Sequence, residues 1–427
     1  MALSGRAAAL AVVGVLAVLA VRVTAAVLAV DGLILILILA DLLLAAPPKA
    51  LTITRDGDRR VRLGESVTVT TTIVNGSRRV LSAQVRDAWP PSANAAPSRR
   101  AVKIPAQGQV SLPLTLTPAR QGDCVAGAVT VRAFGPLGLA ARQRGHGAAW
   151  RVRALPPFRS RRHLPAKLAQ LRDLDGQHRS MRPGPGTEFD ALREYVIGDD
   201  VRSIDWRSTA RRGEVLVRTY RPERDRRVVF VLDTGRTMAG RVGGYPRLDT
   251  AKEAVQLLTA LAARAGDRVD LLAADQQVRA RVLAPARTNA LAAVTDAMSV
   301  LDPELTEPDG RLLATTVLAH ARRRCLVVLL TDLNPSVTAL PELRAVAARH
   351  ELLVGAVTDP RAAELAAGRG DAQRVYSAAA AEKSLAERRS LSSALTRFGA
   401  TVVDEVPGKL PPALADAYLS LKAAGKL

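Results

Sequence analysis

Two parts of this sequence hold residues whose types and spacing could do chemistry. "FVLDTGRTM" and "VLLTDL" each end an apolar run in oxygen-bearing side chains, Asp233 and Thr237 in the first and Asp332 in the second. Carboxylate and hydroxyl oxygens suit a hard divalent cation such as Mg²⁺, so these three are candidate metal ligands. The same residue types at strand ends also cap following helices, with no metal involved. The longer stretch is "REYVIGDDVRSIDWRSTARR", where Arg193, Glu194, Tyr195, Gly198, Asp199, Asp200, Arg202, Asp205, Trp206 and Arg211 crowd together without helix or strand periodicity. One reading is a structural brace: Glu194, Asp199, Asp200 and Asp205 accept contacts from Arg193, Arg202, Arg207 or Arg211, and Trp206 stacks under a guanidinium. A second is a partner-docking surface, since Trp and Arg dominate interface energies. Acid–base catalysis by paired carboxylates fits poorly, because neighbouring arginines hold carboxylates ionised while a general acid needs a raised pKa.

Other catalytic signatures are missing. There is no Gly-x-x-x-x-Gly-Lys-Ser/Thr phosphate loop, no His-Glu-x-x-His and no Gly-x-Ser-x-Gly elbow, and His146, His163, His178, His320 and His350 are scattered. ATP hydrolysis by this chain itself is therefore not expected, and no small-molecule substrate is expected. Cys124 and Cys325 fall in different expected domains without metal-ligand spacing, which reads as two free thiols.

The elements that must position these residues follow from patterning. Apolar runs from Ala7 to Val30 and from Leu33 to Ala46 are broken only by Arg22, Asp31, Gly32 and Asp41. About twenty apolar residues cross a bilayer, so residues 1–46 are expected to form a transmembrane helical hairpin turning at Asp31-Gly32, the alternative being a single span from about Val23 to Ala46. Arg6 before the pair, and Lys49, Arg55, Arg59, Arg60 and Arg62 after it, place both ends in the cytoplasm of a multi-pass cell-membrane protein. Period-two runs with turn residues make 47–155 a small β-sandwich of immunoglobulin-like type, and the Pro-, Gly- and Arg-rich 156–185 a basic connector. From 186 to 427, strand-like and helical segments alternate, giving an α/β domain with a mostly parallel sheet, helices on both faces and ligand positions at the strands' carboxyl ends. A formal net charge of +21 favours anionic partners, either the lipid bilayer or nucleic acid bound by the connector from Arg151 to Arg182. Aromatics are only 3% of the chain, and no reader motif is present, which argues against nucleic acid.

"FVLDTGRTM" and "LLTDL" on this alternating pattern resemble the von Willebrand factor A fold, whose metal-ion-dependent adhesion site uses an Asp-x-Ser-x-Ser loop, a distant Thr and a later Asp. Asp233 matches the first Asp, Thr237 the second hydroxyl and Asp332 the later Asp; Thr306 and Thr316 are both candidates for the distant Thr. Gly235 stands where a hydroxyl ligand is required, so the resemblance implies Mg²⁺ held weakly or not at all. The Arg193–Arg211 signature, together with "FGPLGLAARQ" and the apolar N-terminal runs, resembles a bacterial family known as domain of unknown function number fifty-eight. That resemblance implies a membrane-anchored, non-enzymatic partner of a MoxR-type AAA+ ATPase in the assembly or activation of other complexes. A nucleic-acid-binding membrane protein is the main rival, and a metal-dependent hydrolase at Asp233 and Asp332 a more distant one.

Overall fold

A computed structural model describes residues 2–21, 24–179, 188–196, 199–221, 226–334 and 340–426 of the chain. It divides into two compact units, Met1–Pro157 and Phe158–Leu427.

The first unit begins with two apolar helices, Gly5–Val21 and Thr24–Leu44, which touch where a Cβ on Gly14 would meet Val30 and Ile34 at 2.9 Å. Asp31 and Gly32 lie inside the second helix, so the chain does not turn at Asp31-Gly32 as expected. Strong helix formers surround Gly32, and a lone interior glycine costs a helix only about 1 kcal/mol. Among the described residues one stretch, Val27–Ala50, is long and apolar enough to cross a membrane; the first helix is shorter. Antiparallel sheets follow. Leu51–Gly57, Val67–Asn75 and Gln109–Leu116 form one, while Leu81–Asp87, Arg99–Ile104, Val129–Phe134 and Ala140–His146 belong to another. The alternation along Val67–Asn75 sends Val67, Val69 and Ile73 inward, and Ile73 joins Leu81, Ile104 and Val131 in a common core. Trp89 is only partly buried and lies 5.6 Å from the Arg55 guanidinium, at the edge of a second cluster. Arg55 also pairs with Asp87 at 2.5 Å inside the unit.

The second unit is built on a six-stranded sheet. Its strands in chain order are β1 (Arg227–Asp233), β2 (Arg268–Ala274), β3 (Val278–Val282), β4 (Leu326–Leu330), β5 (Glu351–Val357) and β6 (Thr401–Glu405), and their spatial order is 3-2-1-4-5-6. Only β3, which hairpins back onto β2, is antiparallel. β1, β4 and β5 are buried along nearly their whole length, as parallel strands covered on both faces must be. One face packs on helices Arg247–Arg264 and Leu410–Ala423, through Leu257, Leu261, Leu414 and Tyr418. The other packs on Gly310–His320 and Leu340–Arg349, through Leu313, Val317 and Val346. Within the expected basic connector, residues 158–179 fall in the second unit, and helix Leu164–Arg179 buries Leu171 in the core of the first face. In front of β1, Glu188–Glu194 and Leu216–Arg221 pair antiparallel around the short helix Trp206–Arg212.

Candidate functional site

In an open α/β sheet of order 3-2-1-4-5-6, the chain leaves β1 and β4 in opposite directions and opens a crevice beyond their carboxyl ends. Leu232 is in register with Leu330, which brings Asp233 level with Thr331 at that edge. Asp233 is fully buried; its Oδ1 accepts the Gly235 N–H at 2.7 Å and its Oδ2 the Thr331 hydroxyl at 2.7 Å. Burial, with the charges of Asp332 and Asp275 adding to it, pushes the Asp233 carboxyl up to about 6 against the opposing pull of those two hydrogen bonds. On the neighbouring strand edge, Thr234 donates its hydroxyl to Asp275 at 3.0 Å. Burial would raise Asp275 too, but Arg279 at 2.6 Å, Thr234 and two backbone N–H groups hold it below the usual carboxylate range.

Asp332 follows β4 and is engaged by guanidinium groups. Its Oδ1 accepts from Arg388 Nη1 at 2.6 Å, and Arg247 Nη1 lies 3.6 Å from its Oδ2. Arg388 comes from the long helix Ala372–Arg397 and also grips Asp404 of β6 through Nε at 2.6 Å and Nη2 at 2.7 Å. Arg388 therefore ties the ends of β4 and β6 together, with its side chain only 12% exposed.

These contacts test the expected metal set directly. Asp233, Thr237 and Asp332 do reach one sheet edge, and the Thr237 hydroxyl is buried without a hydrogen-bond partner, as an unfilled ligand would be. The remaining features do not fit a divalent cation. Asp332 is already neutralised by Arg388, and Asp233 has both oxygens hydrogen-bonded. Gly235 cannot become a hydroxyl ligand in place, since a Cβ there would lie 2.7 Å from Pro308 Cδ. Neither candidate for the distant Thr is recruited by a visible contact: Thr306 uses its backbone carbonyl to accept from Arg236 N–H, and Thr316 sits within helix Gly310–His320. Among the described residues no group of three or more His, Cys, Asp or Glu could hold a metal ion. The sequence pattern missed Arg247, Arg388 and Asp404, because one arginine in an exposed, arginine-rich helix carries no local signal.

The Arg193–Arg211 stretch uses its acids locally. Arg193 pairs bidentately with Asp199 at 2.7 and 2.5 Å, and Asp199 also accepts the Val196 N–H. Asp200 caps the turn Val201–Ser203 by accepting the Arg202 N–H. Asp205 caps helix Trp206–Arg212 by accepting the Ser208 N–H at 3.0 Å, and its other oxygen takes Arg218 at 2.7 Å. The Asp205 carboxyl is held below its usual range by the Ser208 N–H first and by Arg218 second. The Tyr195 N–H donates to the Val215 carbonyl, closing the two-stranded ladder. The expected mesh is thus only partly present: Arg202, Arg207 and Arg211 form no ion pair among the described residues, Glu194 gives only its backbone to the ladder, and Gly198 lies outside them. Among the described residues Trp206 stacks under no guanidinium, and it stands 67% exposed.

Similar proteins offer few further constraints. Uncharacterized proteins of Mycobacterium tuberculosis and Mycobacterium bovis are 32% identical over 196 residues, 45% of this chain, which spans 61% of their length. Among solved structures, a CARDB domain from Pyrococcus furiosus matches 24% of this chain and 86% of its own at 14% identity and a TM-score of 0.19. A GH20 exo-β-N-acetylglucosaminidase from Vibrio harveyi matches 83% and 75% at 12% identity and a TM-score of 0.22. Neither likeness is close enough to carry fold or activity over to this chain. Residues 191–389, the part that begins with the signature and runs past Arg388, match the family described as "Protein of unknown function DUF58".

Proposed function

We propose that this chain is a non-enzymatic, membrane-anchored interaction protein that works beside a MoxR-type AAA+ ATPase in assembling or activating other complexes. The apolar helices serve as a hairpin anchor with both ends in the cytoplasm, and the second unit acts as a von Willebrand A-type docking domain. Its strand order, antiparallel edge strand and paired Asp233 and Asp332 at the ends of β1 and β4 support that assignment. The observation that carries the docking role is the division of labour in the signature. Its aspartates, Asp199, Asp200 and Asp205, are taken up by caps and pairs, while Trp206 is left 67% exposed with Arg202, Arg207, Arg211 and Arg212 also at the surface. The exposed indole is unfavourable in water, and Trp with Arg is typical of interface centres.

The test is a pull-down from detergent-solubilised membranes with the wild type, Trp206→Ala and Asp233→Ala, each in Mg²⁺ and in EDTA, scored for co-purifying AAA+ ATPase. Retention by the wild type and loss by a folded Trp206→Ala supports this reading. Failure of the ATPase to appear in any arm removes it. Nucleic acid that co-purifies and is stripped by salt would favour the rival instead.

A further inference from the structure

We infer that an internal guanidinium, Arg388, is the resident cation of the crevice at the end of β1 and β4, and that the domain holds this site in a divalent-cation-independent form. The inference rests on the A-type reading of the sheet but not on the identity of any partner. In that arrangement a divalent cation would sit among Asp233, Thr237 and Asp332. Here Arg388 reaches in from helix Ala372–Arg397 and places three nitrogens within 2.6–2.7 Å of Asp332 and Asp404. Thr358 adds its hydroxyl to Asp404 Oδ1 at 2.5 Å, and Arg247 faces Asp332 from helix Arg247–Arg264. Two carboxylates, Asp332 and Asp404, thus meet two guanidiniums without a metal.

Geometry makes the two occupants exclusive. Mg²⁺ binds oxygen at about 2.0–2.1 Å with near-octahedral demands, so a dication on Asp332 Oδ1 would lie against the nitrogen that already holds that oxygen. Both positive groups cannot share it in a crevice from which water is largely excluded. Gly235 and Pro308 fit the same account: the Pro308 ring packs where a ligand side chain would begin. A guanidinium supplies a fixed planar fork, which suits a permanent strap between two strand ends better than an exchangeable ion does. Arg388 is in this sense a positioning residue that fixes the crevice, while Arg247, whose Nε is buried without a hydrogen-bond partner and whose contact to Asp332 is long, is the more adaptable of the pair.

The experiment uses the full chain purified in detergent, dialysed against EDTA and titrated with Mn²⁺, free ion being read by electron paramagnetic resonance. Thermal midpoints are recorded in parallel with Mg²⁺ and with EDTA. The wild type should show no saturable site below millimolar Mn²⁺ and the same midpoint in both buffers. Arg388→Met should gain a one-to-one site at least tenfold tighter than any wild-type binding, together with a midpoint that Mg²⁺ raises. Because that variant strands two carboxylates, Arg388→Gln combined with Asp404→Asn removes one of them and should gain the same site. Stoichiometric Mn²⁺ binding by the wild type that disappears in Asp332→Asn would overturn the inference. So would folded Arg388 variants that bind no better than the wild type, since the guanidinium would then not be what keeps the cation out. Neither result bears on whether an ATPase is captured.

Discussion

Replacing Asp233 with Asn probes a charge that burial opposes. The side chain is fully buried, has no cationic partner among the described residues, and its carboxyl is pushed from 3.8 up to about 6. A folded-state pKa raised above the unfolded value means that the folded chain binds the proton more tightly, so stability is greatest below about 4 and is lost as pH rises through about 6. Roughly two units at about 1.4 kcal/mol each make the ionised group cost about 3 kcal/mol at neutral pH. Asn preserves the shape: its carbonyl oxygen accepts from the Gly235 N–H, and its amide donates to the Thr331 hydroxyl. Asp233→Asn is therefore expected to be more stable than the wild type by up to about 3 kcal/mol at about pH 7.5. The difference should shrink as pH falls through about 6 and vanish near 4. Urea unfolding read by hydrogen exchange of the β1 and β4 amides, in the full chain in detergent, isolates this sheet from the first unit. A variant that is less stable at every pH, or a difference that grows as pH falls, would refute the reasoning and point to a countercharge at Asp233.

Four other outcomes follow from the same structure. Gly235→Ser should destabilise the second unit by about 1–3 kcal/mol through overpacking against Pro308, without creating Mn²⁺ binding, as thermal melts and a metal titration would measure. Asp41, whose carboxylate accepts the Leu137, Leu139 and Ala140 N–H groups at 2.7, 2.7 and 2.9 Å, holds the second apolar helix to the turn after Val129–Phe134. Asp41→Ala should cost the first unit at least about 2 kcal/mol in urea unfolding, because three backbone donors lose their acceptor, the two buried ones, of Leu139 and Ala140, at about 1–3 kcal/mol each. Asp205→Ala should raise exchange rates across Trp206–Arg212, losing the cap and the Arg218 contact together. Cys325, buried and pushed up to about 11 by desolvation, should resist alkylation at about pH 8 until the chain is denatured, and Cys124, also buried and raised, should do the same.

Features that depend on neighbours along the chain could be read from residue order alone. Buried parallel strands must be apolar almost throughout, so "RVVFVLD", "CLVVLL" and "LLVGAV" announced the central sheet, and Asp233 and Asp332 were legible as carboxylates closing two of its strands. The alternation from Val67 to Ile73 announced the antiparallel layer in the same way. Tertiary structure decided what faces those carboxylates. Arg388 stands 56 residues from Asp332 and 16 from Asp404, and only the path of helix Ala372–Arg397 over the sheet edge brings its guanidinium to both. Pro308 at Gly235 and Arg218 at Asp205 are likewise contacts made by folding, without a periodic trace in the chain. The continuity of the second apolar helix was decided there too: Asp31 and Gly32 look like a turn by composition, yet a helix between strong formers tolerates both. Local propensity and patterning are summed over adjacent residues, whereas the electrostatics of a crevice depend on which charges the fold sets a few ångströms apart.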